Sequence, residues 1–271
     1  RLDIKNNTLV KGVHLEGLRV LGSPKHFMNT YYNEGIDEIY YQDIVASLYK
    51  RNTMTDILAY SVENIFIPIS VGGGVNSLNY IEKLLSSGAD KVSINTAAVK
   101  DPKFINLAVK EFGSSTINVT IEVIKSLKSE SYEILIESGR EKTGLELKQW
   151  IKKIQDSGVG EITITSIDKE GTKKGYDLEL IEYIDNVIEI PLLIHGGCGA
   201  YSDAYHALSF DKISGIIISG ALHYSNIAKD NINLNSGRNH YMNNFQSNNN
   251  NHFSVVDLKK YLKKKGIEVR I

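Results

Sequence analysis

Two glycine turns and a set of carboxylates at strand ends are the residues of this chain best suited to chemistry. Each turn closes a short apolar run: IPISVGGGV contains Gly72, Gly73 and Gly74, and IPLLIHGGCG contains Gly196 and Gly197. Without a Cβ, the backbone N–H groups of such a turn can close on a phosphate, and a helix starting just beyond adds positive potential. A helical stretch and a second strand follow each turn, the first reaching Asn95-Thr96 and the second Ser219-Gly220. Gly72 and Gly73 recur as Gly196 and Gly197, 124 positions on, and Asn95-Thr96 recurs as Ser219-Gly220 at the same spacing. The chain reads as one half written twice, so the expected ligand carries two phosphates. Both turns should open onto one shared cavity with Asp3 pointing into it.

Strands must hold these turns, and eight β-branched or aromatic runs are predicted to do so, at 2–4, 38–44, 67–71, 91–94, 117–124, 161–167, 191–194 and 215–219. Helical apolar spacing follows at 23–35, 53–64, 78–88, 102–112, 144–158, 177–185 and 202–208, with a last helix at 255–264. Gly35, Gly88 and Gly158 stand where a left-handed C-terminal cap would end a helix. Strand and helix in alternation specify a parallel sheet, and eight such units close into a barrel. The predicted fold is α/β, a (β/α)8 TIM barrel with an internal half-barrel repeat, forming a single domain over residues 1–271; such barrels typically need about 250 residues. Active sites of this architecture lie at the C-terminal mouth. Asp3, Asp43, Gly74, Asn95, Thr96, Glu122, Thr165, Asp168, His195, Gly197, Ser219 and Gly220 fall at that mouth, whereas Glu38, Lys91 and Glu161 start strands and face the other end.

Bulk composition narrows the partners. With 31 basic and 32 acidic residues the net charge is −1, so no overall charge draws the chain to nucleic acid or an anionic membrane. No run has the length of a membrane span and no signal peptide is visible. A lone cysteine, Cys198, forms no internal disulfide and fits a reducing cytosol, and it reads as an inert residue of a glycine turn. The seven histidines show no ligand-like spacing, so neither metal nor cofactor is expected. His195 reads as a space-filling or phosphate-proximal side chain rather than a base. Residues 226–253 are dense in Asn and poor in aliphatics, and read as a disordered insertion between the last strand and the last helix. Strand residues begin at once after Arg1, which suggests that the natural chain starts earlier.

The segments LDIKNNTLVKGVHLEGL, FIPISVGGGV, GADKVSINTAAV, GEITITSIDKEGTKKGYDLEL and the final KKYLKKKGIEVR resemble the cyclase subunit of imidazole glycerol phosphate synthase, of histidine biosynthesis. The resemblance covers nearly the whole chain. It implies a cytoplasmic lyase that receives ammonia through the barrel core from a glutaminase subunit docked at the N-terminal face. At the mouth, that ammonia would cleave a bisphosphorylated aminoimidazole carboxamide nucleotide and close the imidazole ring. Asp3 takes the position of one catalytic aspartate and Glu122 that of the other. Lys11, on a mobile loop after the first strand, would close over the substrate. One phosphate would rest on Gly74, Asn95 and Thr96; the other would rest on Gly171, Gly197, Ser219 and Gly220, with Thr165 also lining the site. Glu38, Lys91 and Glu161 would form the ammonia gate, and the arginine that completes it in the family would precede Arg1.

Five positions on the rim depart from that pattern. Glu122 stands where aspartate is expected, and it reaches about 1.5 Å further, while displacements of about 1 Å can cost roughly 100-fold in rate. His195 replaces a small serine, Glu170 an aspartate, and Ser219-Gly220 an Ala-Ser pair. An alternative reading follows, in which the chain is a cyclase-like partner of a glutaminase. It would conduct ammonia to a third enzyme that amidates a sugar in surface-polysaccharide biosynthesis.

Overall fold

The structure, a computed structural model, describes residues 1–45, 54–229 and 253–270. Twelve strands form one sheet. Eight of them are parallel neighbours: β1 (Leu2–Lys5), β4 (Ile39–Asp43), β5 (Ile69–Gly72), β6 (Lys91–Ile94), β7 (Ile117–Lys125), β10 (Glu161–Ser166), β11 (Leu192–His195) and β12 (Ile213–Ile217). Each lies where the sequence predicts a strand. Past the end of β12, the carbonyl of Ile218 accepts from the backbone nitrogen of Arg1 at 2.8 Å, which brings the two ends of the parallel array together. This is the predicted (β/α)8 barrel.

Helices cover the outside: α1 (Pro24–Asn33), α2 (Met54–Asn64), α3 (Leu78–Ser86), α4 (Thr96–Lys100), α5 (Pro102–Phe112), α6 (Leu147–Asp156), α7 (Leu178–Ile184), α8 (Tyr201–Leu208), α9 (Gly220–Lys229) and α10 (Val255–Lys264). Alternate strand residues such as Ile162, Ile164, Val119 and Ile121 point outward and are buried under helix residues such as Trp150, Ile151 and Ile154. Gly35, Gly88 and Gly158 do end their helices at positive φ.

The sequence reading missed two hairpins. The chain after β1 turns back as β2 (Thr8–Val13) and β3 (Glu16–Gly22), and the chain after β7 as β8 (Tyr132–Ile136) and β9 (Glu141–Glu146). Lys11 is therefore not on a mobile loop; it sits in a strand, with its side chain 2% exposed. The helix expected over 144–158 gives up its first residues to β9 and begins at Leu147. The expected insertion at 226–253 is also too wide. Asn226 and Ile227 are buried in the last turn of α9, and Phe253 packs tilted against Tyr201 with ring centroids 4.7 Å apart. Its central part, 230–252, lies outside the described residues.

Candidate functional site

The two glycine turns have one backbone shape. Gly73 and Gly74 have φ of +105° and +67°, Gly196 and Gly197 of +108° and +102°. A Cβ on Gly73 would come within 2.1 Å of the Asp43 carbonyl oxygen, and one on Gly196 within 2.7 Å of that of Ser166. Each first glycine thus lies against the last residue of the strand next door, so glycine is required twice over, for φ and for space. The structural partner of Gly196 is Gly73, 123 positions away, and not Gly72, which still belongs to β5.

Barrel closure exchanges carboxylates between the halves. β7, the first strand of the second half, pairs with β6, and β1 meets the end of β12. Glu122 on β7 consequently lines the cavity of the first turn, a space of ≈ 240 Å³ bounded by Gly73, Gly74, Asn95, Thr96, Glu137 and Ser138. Asp3 on β1 lies beside the second turn. There the space between Gly197, Ser219, Gly220, Gly171, His195 and Lys11 shrinks to ≈ 20 Å³. A small third space, bounded by Arg1, Asp3, Glu122, Leu15 and Glu170, lies between them. The expected single cavity is thus divided into separate spaces, and Lys11 Nζ bridges Asp3 Oδ2, at 3.5 Å, and Glu170 Oε1 across the mouth.

Hairpin tips complete the rim. Both central residues of the β2–β3 turn, His14 and Leu15, have positive φ, as do Glu137 and Ser138 of the β8–β9 turn. The β2–β3 connection is a two-residue turn, which matches the twist of a hairpin but usually uses Asn or Gly, and the β8–β9 connection is a four-residue loop with Gly139 at positive φ too; side chains like Leu15 and Glu137 strain at such φ. The tips are tied down: Leu15 N donates to Glu170 Oε2 at 3.1 Å, Glu137 N to Thr96 Oγ1 at 3.1 Å, and Gly139 N to Glu122 Oε2 at 2.9 Å. Gly171, with φ +74°, leaves no room for a Cβ against the Gly12 carbonyl, 2.6 Å away.

The two carboxylates meet opposite fields. Burial alone would raise the pKa of Asp3, but the Arg1 guanidinium, whose Nε is 2.7 Å from Oδ1, and the Lys11 ammonium outweigh it and hold it well below the usual range. For Glu122 burial prevails over the more distant Arg1 and the Gly139 N–H, and its pKa is raised. One acid is kept ionised and the other is pushed toward its protonated form. Burial, followed by the charges of Arg1 and Lys11, drives the His195 pKa well down. Burial pushes the Cys198 thiol up to about 12, which removes it as a nucleophile at neutral pH.

At the opposite end, Lys91 Nζ lies 3.2 Å from Glu38 Oε2 and 3.0 Å from Glu161 Oε2, the ring that sequence position suggested. Burial disfavours the Lys91 ammonium, yet these two partners raise its pKa. From this ring hydrogen bonds climb the barrel interior: Asn118 to Glu161 at 2.7 Å, Ser93 to Asn118 at 3.1 Å, Ser93 with Thr120 at 2.6 Å, and Thr120 with Tyr40 at 3.2 Å. Arg1 lies over the Tyr40 ring, 5.9 Å from its centroid. Sequence reasoning missed Arg1, Tyr40, Asn118 and Thr120. The signal was present in β7, where Asn118, Thr120 and Glu122 alternate with Val119, Ile121 and Val123, a strand polar on one face and apolar on the other.

A parallel eight-stranded barrel with a matched pair of glycine turns and two unlike carboxylates at its mouth defines a class of duplicated (β/α)8 barrels. The chain belongs to the histidine biosynthesis protein family, whose model matches residues 1–228. Its relatives include the imidazole glycerol phosphate synthase subunit HisF of Legionella pneumophila, 47% identical over 199 residues that cover 73% of this chain and 93% of the relative. The subunit of the same name from Natranaerobius thermophilus is 37% identical over 270 residues, covering 100% and 96%. That of Lactococcus lactis subsp. cremoris is 38% identical over 231 residues, covering 85% and 89%.

Proposed function

We infer that the chain is the cyclase subunit of imidazole glycerol phosphate synthase. The observation that carries this reading is the pair of like turns with one ionised and one proton-holding carboxylate between them. The substrate is a phosphoribulosyl-formimino-aminoimidazole carboxamide ribonucleotide, and the products are imidazole glycerol phosphate and aminoimidazole carboxamide ribonucleotide. Ring closure and loss of the amine need one group to take protons and another to give them, and divergent pKa values sort the roles. Asp3 is the base and Glu122 the acid. Gly74, Asn95 and Thr96 hold one phosphate; Gly171, Gly197, Ser219 and the N-terminus of α9 at Gly220 hold the other, with Thr165 beneath them. Lys11 must leave Glu170 to reach the ligand.

Ammonia is the second substrate. It enters past Glu38, Lys91 and Glu161 from a glutaminase subunit docked on the N-terminal face, where Phe66 stands 82% exposed just before β5. The hydroxyl ladder of Ser93, Thr120 and Tyr40 offers it hydrogen bonds on the way up. The pair acts as a lyase in the cytosol, in keeping with a chain whose one cysteine is unpaired. Likeness to relatives named for the cyclase favours this reading over ammonia delivery to a sugar-amidating enzyme.

The test is direct. Purified protein given the nucleotide substrate and saturating ammonium salt should release aminoimidazole carboxamide ribonucleotide, and glutamine should substitute for ammonium only when the glutaminase is added. A folded protein that turns over nothing under saturating ammonium would favour the conduit reading instead.

A further inference from the structure

Arg1, His195 and Ser219 sit at the seam where β1 meets β12, and they touch in series. Arg1 Nη1 lies 3.4 Å from His195 Nδ1, and His195 Nε2 lies 3.0 Å from Ser219 Oγ. A guanidinium has donors only, so the nitrogen that faces it must be an acceptor. Nδ1 is therefore the bare nitrogen, also within 3.3 Å of the Thr165 hydroxyl, and Nε2 carries the proton. That proton goes to Ser219 Oγ. Having accepted from the imidazole, the serine hydroxyl has its own hydrogen left to give, and it borders the narrow space lined by Gly197, Gly220 and Lys11. The unprotonated oxygens of a phosphate dianion accept and do not donate. In the opposite tautomer Nε2 would take the serine proton and leave only lone pairs facing the anion.

We propose that Arg1 and His195 are positioning residues that fix the Ser219 hydroxyl as a hydrogen-bond donor to the second phosphate of the ligand. The proposal rests on the reading of Gly197 and Gly220 as a phosphate subsite and adds three side chains to it. Charged groups around the imidazole act together. The Arg1 guanidinium and Lys11 oppose a second proton, Asp3 favours one, and Glu170 and Lys173 border the same space. The serine would thus be a donor across the physiological pH range, without the switching that a histidine in direct contact with phosphate would bring.

The test uses sulfate, a dianion that does not titrate in this range, and protein labelled with ¹⁵N at histidine. In the wild type the His195 signal, identified by its loss in His195→Asn, should show a bare Nδ1 and a protonated Nε2 from about pH 5 to 8. Sulfate binding, followed at the Gly197 amide, should stay level over that range. Ser219→Ala should weaken it roughly tenfold, as expected for one hydrogen bond to a charged acceptor, and Ser219→Thr should restore it. Arg1→Met should let both neutral tautomers of His195 appear, and should raise its pKa while burial and Lys11 still hold it below its ordinary value, so that sulfate binds more tightly as the pH falls toward about 5. Arg1→Gln, which drops the charge and carries an amide able to donate or accept, gives the same readout if the methionine variant does not fold. A wild-type His195 protonated on Nδ1, or sulfate affinity unmoved by Ser219→Ala, overturns the proposal alone. A wild type that takes up no sulfate at Gly197 overturns it together with the phosphate reading beneath it.

Discussion

The two halves of the barrel share a turn and differ in what faces it. Around Gly73 and Gly74 the structure keeps ≈ 240 Å³ of space, with Glu122 as its buried carboxylate. Around Gly196 and Gly197 the space is ≈ 20 Å³, and the neighbouring Arg1, Asp3, Lys11 and Glu170 cancel one another's charge. The backbone of the turn is kept in both halves, because φ and the neighbouring carbonyl leave no alternative to glycine. It did not constrain the side chains around the turn, and these have diverged. One half is open with an acid inclined to hold a proton; the other is narrowed beside its own ion pairs.

The largest predicted effect removes the anion on which the closed half is built. Asp3→Asn should lower ammonium-dependent release of aminoimidazole carboxamide ribonucleotide by about 10³-fold or more, within the range for loss of a general acid or base. If the rate is kept, the two carboxylates do not share the proton work. Glu122→Asp tests the open half. The sequence alone leaves room for a gain on shortening this side chain, but its Oε2 reaches the Gly139 N–H of the hairpin tip at 2.9 Å, so the longer side chain is matched to its surroundings. The shorter one should cost up to roughly 100-fold in the same assay, and a faster enzyme would mean that Glu122 is merely tolerated.

How much of this was legible follows the same division. The eight parallel strands could be read because each is a short β-branched or aromatic run, and the turns because two adjacent glycines after a strand have few other uses. The hairpins over the mouth could not, since His14-Leu15 and Glu137-Ser138 are poor turn formers that tertiary contacts hold at positive φ. Alternation in β7 and β10 announces a polar barrel interior, yet it does not say which hydroxyls meet. Arg1 was illegible for a different reason: its role depends on His195 and Ser219, nearly two hundred residues away in sequence and neighbours only once the barrel closes.

Opening the closed half should give a smaller effect. Glu170→Gln removes the partner that holds Lys11 across the mouth while keeping an oxygen for the Leu15 N–H. Lys11 should then turn to an anion in the second subsite, and sulfate affinity followed at the Gly197 amide should rise about fivefold, close to 1 kcal/mol. An unchanged affinity would show that the narrowness of this subsite does not come from the Lys11 bridge.

The smallest effect is on stability, and its sign separates the two carboxylates. A carboxyl whose folded pKa is raised favours unfolding as the pH climbs past its unfolded value of about 4.3, because the unfolded chain releases the proton more readily. Glu122 is such a group, so Glu122→Gln should raise the melting temperature by about 2–4 °C at pH 7, the shift for about 1 kcal/mol in a chain of this size. Near pH 4 the gain should vanish, since the wild-type side chain is then mostly protonated in both states. Asp3 has the opposite sign. Its depressed pKa supplies stability above its unfolded value of about 3.9 that is lost as the pH falls further, so Asp3→Asn should lower the melting temperature at pH 7. Calorimetric scans of both variants at the two pH values decide the matter, and shifts of the same sign at pH 7 would mean that the two halves hold their carboxylates in similar fields after all.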